Sequence, residues 1–158
     1  MEVNNYIDFV RNHKYMSGID RDTHRIKQTA EVFTPTELVL EILEEIFIAR
    51  PELFLNPHET FLDNCCGDGQ FLSEIVIKKM MTNGCNLETE LSTVYGVDIM
   101  FENVEICKKR LAGPNPTPEI LEILERNIVC HDALTYDYTF EPIKKKVNTK
   151  GQFEMSLE

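Results

Sequence analysis

Apolar residues recur every three or four positions in five stretches of the chain, and this spacing predicts five amphipathic helices. The clearest stripe lies between Pro35 and Pro51. A shorter stripe near the N-terminus is formed by Tyr6, Phe9 and Val10. The predicted helices occupy about 6–10, 34–50, 69–81, 101–111 and 117–126.

Three short runs rich in β-branched and aromatic residues alternate with these helices and predict strands. The runs are Thr60–Leu62, Thr93–Ile99 and Asn127–Cys130, and the polar segment 83–91 before the second run is expected to be a loop. Single strands that alternate with helices are typical of α/β proteins with a parallel sheet. The predicted fold class is therefore α/β, with a partial parallel sheet and flanking helices.

A capping signal precedes the second helix. Thr34 is expected to be its N-cap, with Pro35 at the first helical position and Glu37 three residues after the cap. Together these residues predict a capping box with an N-terminal proline. Taken alone, this signal indicates only where a helix begins.

Two glycines, Gly67 and Gly69, lie between the first strand and the third helix. Glycine accepts a positive φ and lets a ligand approach the backbone, while the first N–H groups of the following helix offer hydrogen-bond donors. Asp63, at the end of the strand, can accept hydrogen bonds from a ligand ammonium or hydroxyl. Dinucleotide sites use Gly-x-Gly-x-x-Gly, but Leu72 stands at the third glycine position, which argues against NAD.

The longer string around these glycines is more specific. The segment from Asp63 to Leu72 reads Asp-x-x-Cys-Gly-x-Gly-x-Phe-Leu and resembles the S-adenosylmethionine (SAM) loop of the adenine-N6 DNA methyltransferases. That family usually has Asp-Pro-x-Cys-Gly-Ser/Thr-Gly-x-Phe-Leu, so Asn64 replaces the proline and Asp68 replaces the small hydroxyl residue. The resemblance leads us to expect Asp68 to add negative charge near the cofactor.

Three further segments, at 28–37, 95–99 and 131–134, resemble the same family in the same order. In such enzymes the first packs over the methionine end of SAM. Asp98 is implied to bind the ribose hydroxyls, although it could instead only cap the next helix. Asp132 is implied to accept from the adenine amine. The cofactor-binding residues implied by the resemblance are Phe33, Thr34, Pro35, Asp63, Cys66, Gly67, Gly69, Phe71, Asp98, Ile99, Asp132 and Ala133.

The catalytic tetrapeptide of that family, Asn/Asp-Pro-Pro-Tyr/Phe, does not occur in the sequence. In the family it holds and stacks on the flipped adenine. Phe153–Leu157 resembles the beginning of the strand that would precede it. We therefore assign no catalytic residue and no metal site, and expect another chain to supply this loop. An open half-sheet favours pairing through its exposed edge, with a protein partner or a second copy.

Composition limits the possible partners. The 158 residues have a formal net charge of −11, which is unfavourable for a free-standing DNA-binding protein. Lys144–Lys146 with Lys150 form the main basic cluster, so DNA is expected to be held only through a partner. No apolar run reaches the length of a membrane span, and the N-terminus does not resemble a signal peptide. The five cysteines lack paired metal-ligand spacing, which favours reduced thiols in the cytoplasm.

These observations divide the chain into an N-terminal helical segment (1–28), a SAM-binding methyltransferase-like domain (29–140) and a basic tail or truncated fourth strand (141–158). The resemblance implies a Rossmann-like class I fold and the SAM-binding portion of an adenine-N6 DNA methyltransferase, as in restriction-modification. The alternative is a catalytically inactive protein that sequesters SAM or regulates a partner methyltransferase. A third possibility is another Rossmann-like enzyme that uses a nucleotide.

Overall fold

The computed structural model describes residues 2–12 and 34–140. The helices in these residues are α1 (Val3–Asn12), α2 (Thr36–Ala49), α3 (Glu52–Leu55), α4 (Gln70–Asn83), α5 (Leu87–Leu91), α6 (Phe101–Ala112) and α7 (Pro118–Asn127). The strands are β1 (Phe61–Asp63), β2 (Val94–Asp98) and β3 (Ile128–Cys130). All five predicted helices and all three predicted strands are present, so the α/β class is confirmed.

The three strands form one parallel sheet in the order β1-β2-β3. Asp63 pairs with Gly96, and Asp98 pairs with Cys130, which fixes the register on both sides of β2. Because the strands are parallel, their carboxyl ends all lie at the same end of the sheet. Within the described residues, β1 and β3 are the outer strands, and each has one edge without a paired strand.

The side chains of β2 alternate between the two faces of the sheet. A Cβ on Gly96 would lie 2.9 Å from Leu72, so this face packs directly against α4. On the opposite face, the ring of Tyr95 lies 4.7 Å from that of Phe140, between centroids. The chain after β3 therefore returns across the sheet face that does not contact α4.

Helix α4 is the centre of the core, because it contacts α1, α2, α3, α5 and α6 as well as β1 and β2. Most of its residues are buried, which explains its weak helical periodicity. Tyr6 of α1 is fully buried, and its hydroxyl donates to the carbonyl of Leu111 over 3.2 Å. The N-terminal helix thus shares one hydrophobic core with the glycine-turn region.

The predicted capping box at the start of α2 is wrong. The helix begins at Thr36, and Pro35 is the N-cap, with an extended ψ of 145° and no side-chain cap. The hydroxyl of Thr36 accepts a hydrogen bond from the side chain of Gln70 over 2.8 Å. Thr36, the first residue of this helix, therefore joins α2 to Gln70, which is distant in the sequence.

Three local predictions also differ from the structure. The expected loop at 83–91 contains α5, whose N-cap Asn86 accepts from the backbone of Thr89 over 2.9 Å. Helix α4 extends to Asn83, where Gly84 ends it in the left-handed conformation. The run Thr60–Leu62, apolar enough to predict a buried strand, contains Leu62, which is 53% exposed because it lies in an outer strand.

A buried ion pair lies at the amino ends of the strands, opposite their carboxyl ends. Lys79 of α4 and Glu90 of α5 are both fully buried, with 3.0 Å between Nζ and Oε2. The same ammonium donates to the carbonyl of Glu59 over 2.8 Å and to Oγ1 of Thr93 over 2.6 Å. These contacts join α4 and α5 to the residues that precede β1 and β2.

Several predictions fall on residues outside the described ranges, including Phe33, the basic cluster with Lys150, and the partial strand at Phe153–Leu157. In the described ranges, none of the helices combines the length and the apolar character needed to cross a membrane.

Candidate functional site

Three aspartates lie at or just after the carboxyl ends of the three strands. Asp63 is the last residue of β1, Asp98 is the last of β2, and Asp132 lies two residues after β3. The backbone N–H of His131 donates to the carbonyl of Asp98 over 3.0 Å, which holds the last two acids on neighbouring segments. The parallel sheet therefore brings together acids that are widely separated in the sequence.

The glycine turn between β1 and α4 has the backbone geometry expected from its composition. Gly67 and Gly69 have φ values of 51° and 83°, in the region that favours glycine. The N–H of Gly69 donates to the carbonyl of Cys66 over 2.8 Å, and that of Cys66 donates to Val97 of β2 over 3.0 Å. The turn is thus closed on itself and attached to the central strand.

Close packing, as well as conformation, requires glycine at position 69. A Cβ there would lie 2.6 Å from Sγ of Cys107 in α6, well inside contact distance. Gly69 is buried, so α6 rather than open space occupies the side where its side chain would be. Sequence reasoning attributed this glycine to ligand approach and missed its packing role.

The thiol of Cys66 faces the interior of the protein. It is 5% exposed and lies 3.0 Å from the position of a Cβ on Gly96. A hydrogen bond with Cys107 raises the pKa of the Cys66 thiol, and burial raises it further. Cys66 therefore packs in the core as a protonated thiol.

Asp98 joins the glycine turn to β2. Its Oδ2 accepts from the backbone of Gly67 over 3.0 Å, while its Oδ1 accepts from the backbone of Met100 over 2.8 Å and the side chain of Asn103 over 3.3 Å. It therefore holds the residue that leads into α6 and also positions the turn, but it does not cap the helix, whose N-cap is Met100 with no side-chain cap. Each carboxylate oxygen can accept about two hydrogen bonds, so Oδ2 retains capacity for a further donor.

Asp63 is partly buried beside Asp98. Its Oδ1 accepts from the backbone of Cys65 over 3.1 Å. Burial raises the pKa of Asp63, the hydrogen bond from Cys65 acts in the opposite direction, and the charge of Asp98 raises it again. A carboxylate held in this way favours a nearby cation, because a positive charge would offset both unfavourable effects.

The raised pKa of Asp63 implies that the stability of the protein depends on pH. The folded state binds this proton more tightly than the unfolded state, so the free energy of unfolding falls as pH rises from the ordinary aspartate range through the raised pKa. Asp63→Asn keeps the acceptor for Cys65 but removes the charge. We expect a higher melting temperature at pH 7 and a weaker acid-to-neutral decline, measured by thermal denaturation in the absence of ligand.

Asp8→Asn provides the matched control, since Asp8 is exposed on α1 and loses the same charge. A melting temperature that is unchanged or lower in Asp63→Asn, with the pH dependence intact, would show that the charge of Asp63 does not destabilise the folded state and would contradict this prediction.

The site is open beyond β3. Asp132 is exposed, and its Oδ1 accepts from the backbone of Leu134 over 2.9 Å, whereas Ala133 is half-buried. Ile99, which follows Asp98 directly, is 67% exposed. The ring of His131 lies 5.2 Å from that of Tyr136, and its Nδ1 is 3.0 Å from the carbonyl of Asp132.

Aromatic residues after β3 form a cluster that sequence reasoning missed. Tyr136, Tyr138 and Phe140 pack together, and the hydroxyl of Tyr138 donates to the carbonyl of Ala133 over 2.8 Å. Tyr138 and Phe140 both adopt positive φ, at 58° and 45°. The alternation of aromatic residues in this stretch was the available signal.

The expectation that Asp68 adds negative charge near a cofactor stays a prediction, but that charge is buried and paired with a cation. Its side chain is buried, with 3.3 Å between Oδ2 and Nη2 of Arg110, which is itself fully buried. Arg110 lies in the last turn of α6, where cations usually complement the helix dipole from the surface. Both charges instead lie in the protein interior, beneath the turn.

The residues before α2 approach the glycine turn from another side. Thr34 is half-buried and Pro35 exposed, and the next residue, Thr36, bonds to Gln70. Phe71 is half-buried against the core. Segments 34–36 and 67–71 therefore lie side by side.

A glycine turn that opens a helix, with acids at the carboxyl ends of parallel strands, is the arrangement by which α/β proteins bind nucleotide-like ligands. The chain is similar to the type II methyltransferase M.VspI of Vibrio sp. (strain 343), with 29% identity over 143 residues. The match covers 79% of this chain and 31% of that protein, so the chain spans about a third of its relative's length. No family model and no solved structure matches the chain. The similarity supports a relationship to methyltransferases.

Proposed function

We propose that this chain is the SAM-binding portion of an adenine-N6 DNA methyltransferase with a Rossmann-like class I fold, formed by residues 29–140. The observation that carries the proposal is the hydrogen bond between the N–H of Gly67 and Asp98, at 3.0 Å. It joins the glycine turn to the acid at the end of β2, the two elements that a nucleoside ligand would contact. The methyltransferase relative supports the same class of ligand.

The residues at the site fit SAM by charge and hydrogen-bonding capacity. Oδ2 of Asp98 can accept from a ribose hydroxyl, and Asp132 can accept from the adenine amine. Asp63, whose pKa is raised by burial, suits the ammonium group of the methionine end. The remaining contacts are assigned to the segment Phe33–Pro35 and to the backbone and apolar groups of Cys66, Gly67, Gly69, Phe71, Ile99 and Ala133.

Bound SAM supplies an electrophilic methyl group, and the contribution of this chain is to hold the ligand in one orientation. Methyl transfer of this kind depends on positioning the acceptor in line with the methyl group. The residues that would position adenine are assigned to a segment outside this sequence, which lacks the Asn/Asp-Pro-Pro-Tyr/Phe tetrapeptide. The free edge of β1 is the proposed attachment point for that segment, on a partner chain or a second copy.

The acidic charge supports an alternative function. At −11, the chain is suited to protein contacts more than to phosphate contacts. A catalytically inactive protein that holds SAM, or regulates a partner methyltransferase, would need the same site without the tetrapeptide. Native mass spectrometry with candidate partners, followed by a DNA methylation assay of each complex, separates the two: methylation supports the first function, and a stable inactive complex the second.

Calorimetric titration of the 158-residue chain with SAM tests the proposal, with NAD as the control ligand. We expect saturable binding of SAM and none of NAD, since Leu72 replaces the third glycine of a dinucleotide site. A folded chain that binds neither ligand, or that prefers NAD, would contradict the proposal.

A further inference from the structure

One face of α6 supports the glycine turn and the adjacent acid. Asn103, Cys107 and Arg110 lie at intervals of four and three residues, and so on the same side of the helix. Asn103 donates to Asp98, and Cys107 occupies the space beside Gly69. Arg110 lies one turn further on and is fully buried.

The guanidinium of Arg110 holds the residues on both sides of Gly69. One nitrogen, Nη1, donates to the side-chain carbonyl of Gln70, and Nη2 lies 3.3 Å from Oδ2 of Asp68. The planar, forked group is suited to two acceptors at once. We call these two contacts of Arg110, with Asp68 and with Gln70, the clamp. The resemblance assigns a small hydroxyl residue to position 68 and no fixed residue to position 70, so the clamp distinguishes this chain from the pattern it resembles.

Gln70 extends the clamp to a second segment of the site. Its amide nitrogen donates to Oγ1 of Thr36 over 2.8 Å, while its amide oxygen accepts from Arg110. Both ends of one amide are thereby occupied, and its orientation is determined. The resulting chain of contacts joins Thr36, next to Pro35, through Gln70 and Arg110 to Asp68.

From these contacts we propose that Arg110 is a positioning residue for the SAM site, which it serves through Gln70 by holding segment 34–36 against the glycine turn. This inference rests on the proposed function, but the contacts also predict an effect without ligand. The turn and the start of α2 would separate when the network is broken, although neither Arg110 nor Gln70 is among the residues assigned to bind SAM.

Thr36→Val tests the network without burying a charge, because it removes only the acceptor of Gln70. We expect the dissociation constant for SAM to rise about tenfold, the cost of one well-oriented hydrogen bond in a positioning contact. In the ligand-free chain, amide exchange at Gly69 and Ser73 should also become about tenfold faster, while exchange at Leu124 in α7 should not change. Thr89→Val, on α5, is the matched control.

Arg110→Lys separates positioning from stability. Lysine keeps the charge that pairs with Asp68, but it is shorter and lacks the planar fork through which Arg110 reaches Gln70 with a second nitrogen. We therefore expect a melting temperature close to that of wild type, with SAM affinity reduced as in Thr36→Val. Combining the two substitutions should lower the affinity for SAM little further, since both break one connected network. Lys109→Met, an exposed neighbour on α6, should change neither property.

The outcomes distinguish the two claims. Faster exchange in Thr36→Val, with no SAM binding by wild type, would support the clamp and contradict the proposed function. Wild-type SAM binding that Thr36→Val and Arg110→Lys leave unchanged would contradict the clamp. Independent, additive losses in the double variant would also overturn it. If Arg110→Lys does not fold, Gln70→Leu combined with Thr36→Val provides the same test of additivity.

Discussion

Replacing Lys79 with methionine is expected to lower the free energy of unfolding by about 3–5 kcal/mol, because it leaves Glu90 as an uncompensated buried charge. Both side chains are fully buried, and the ammonium also binds the carbonyl of Glu59 and the hydroxyl of Thr93. The variant therefore loses three contacts of the ammonium, at the end of the sheet where β1 and β2 begin. Urea denaturation, followed by circular dichroism, measures the change.

The double variant Lys79→Met/Glu90→Leu is the matched control. Replacing both members of a buried pair with apolar residues is often neutral or stabilising. The double variant should therefore recover most of the loss, short of the cost of leaving the Glu59 carbonyl without its donor. A loss below about 1 kcal/mol in Lys79→Met, the range of an exposed pair, would contradict the buried pair.

Asp98→Ala should weaken SAM binding by about 10- to 150-fold, since a hydrogen bond to a charged group contributes about 1.5–3 kcal/mol. The carboxylate is proposed to accept from the ribose while it holds Gly67 and Met100. Calorimetric titration measures the affinity, at a temperature at which circular dichroism shows the variant to be folded.

Two further variants interpret that result. Asp8→Ala removes the same charge from an exposed site on α1 and should leave SAM affinity unchanged. Asp98→Asn keeps one acceptor oxygen for the start of α6 and should restore stability more than affinity. If Asp98→Ala lowers stability but binds SAM as wild type does, Asp98 only holds the turn and the residue before α6, and the ribose assignment is wrong.

The sequence predicted the sheet and the main helices because their signals are local. Asp98 ends a run of β-branched and aromatic residues, and Thr117 caps α7 by accepting from the backbone of Ile120 over 3.3 Å, as expected at a Thr-Pro start. Helix α5 was missed because it has only five residues, too few to display a helical period.

The contacts beneath the site could not be predicted in this way. Arg110 lies in a run of three cations at the end of a helix, a pattern typical of exposed residues that complement the helix dipole. Its burial depends on Asp68 and Gln70, about forty residues earlier, and on how α6 crosses α4. For the same reason, the capping signal read at Thr34, Pro35 and Glu37 gave no indication of the contact between Thr36 and Gln70.

Amide NMR spectra of the isotopically labelled chain, recorded during titration with SAM, test the central claim most directly. The N–H groups of Cys65, Gly67, Met100 and Leu134 donate to Asp63, Asp98 or Asp132, and so report on all three acids. We predict that these four signals shift together and saturate with one dissociation constant. Shifts confined to the cleft lined by Lys109, Gly113 and Leu121, or no saturable shift at the acids, would contradict the assignment of the SAM site.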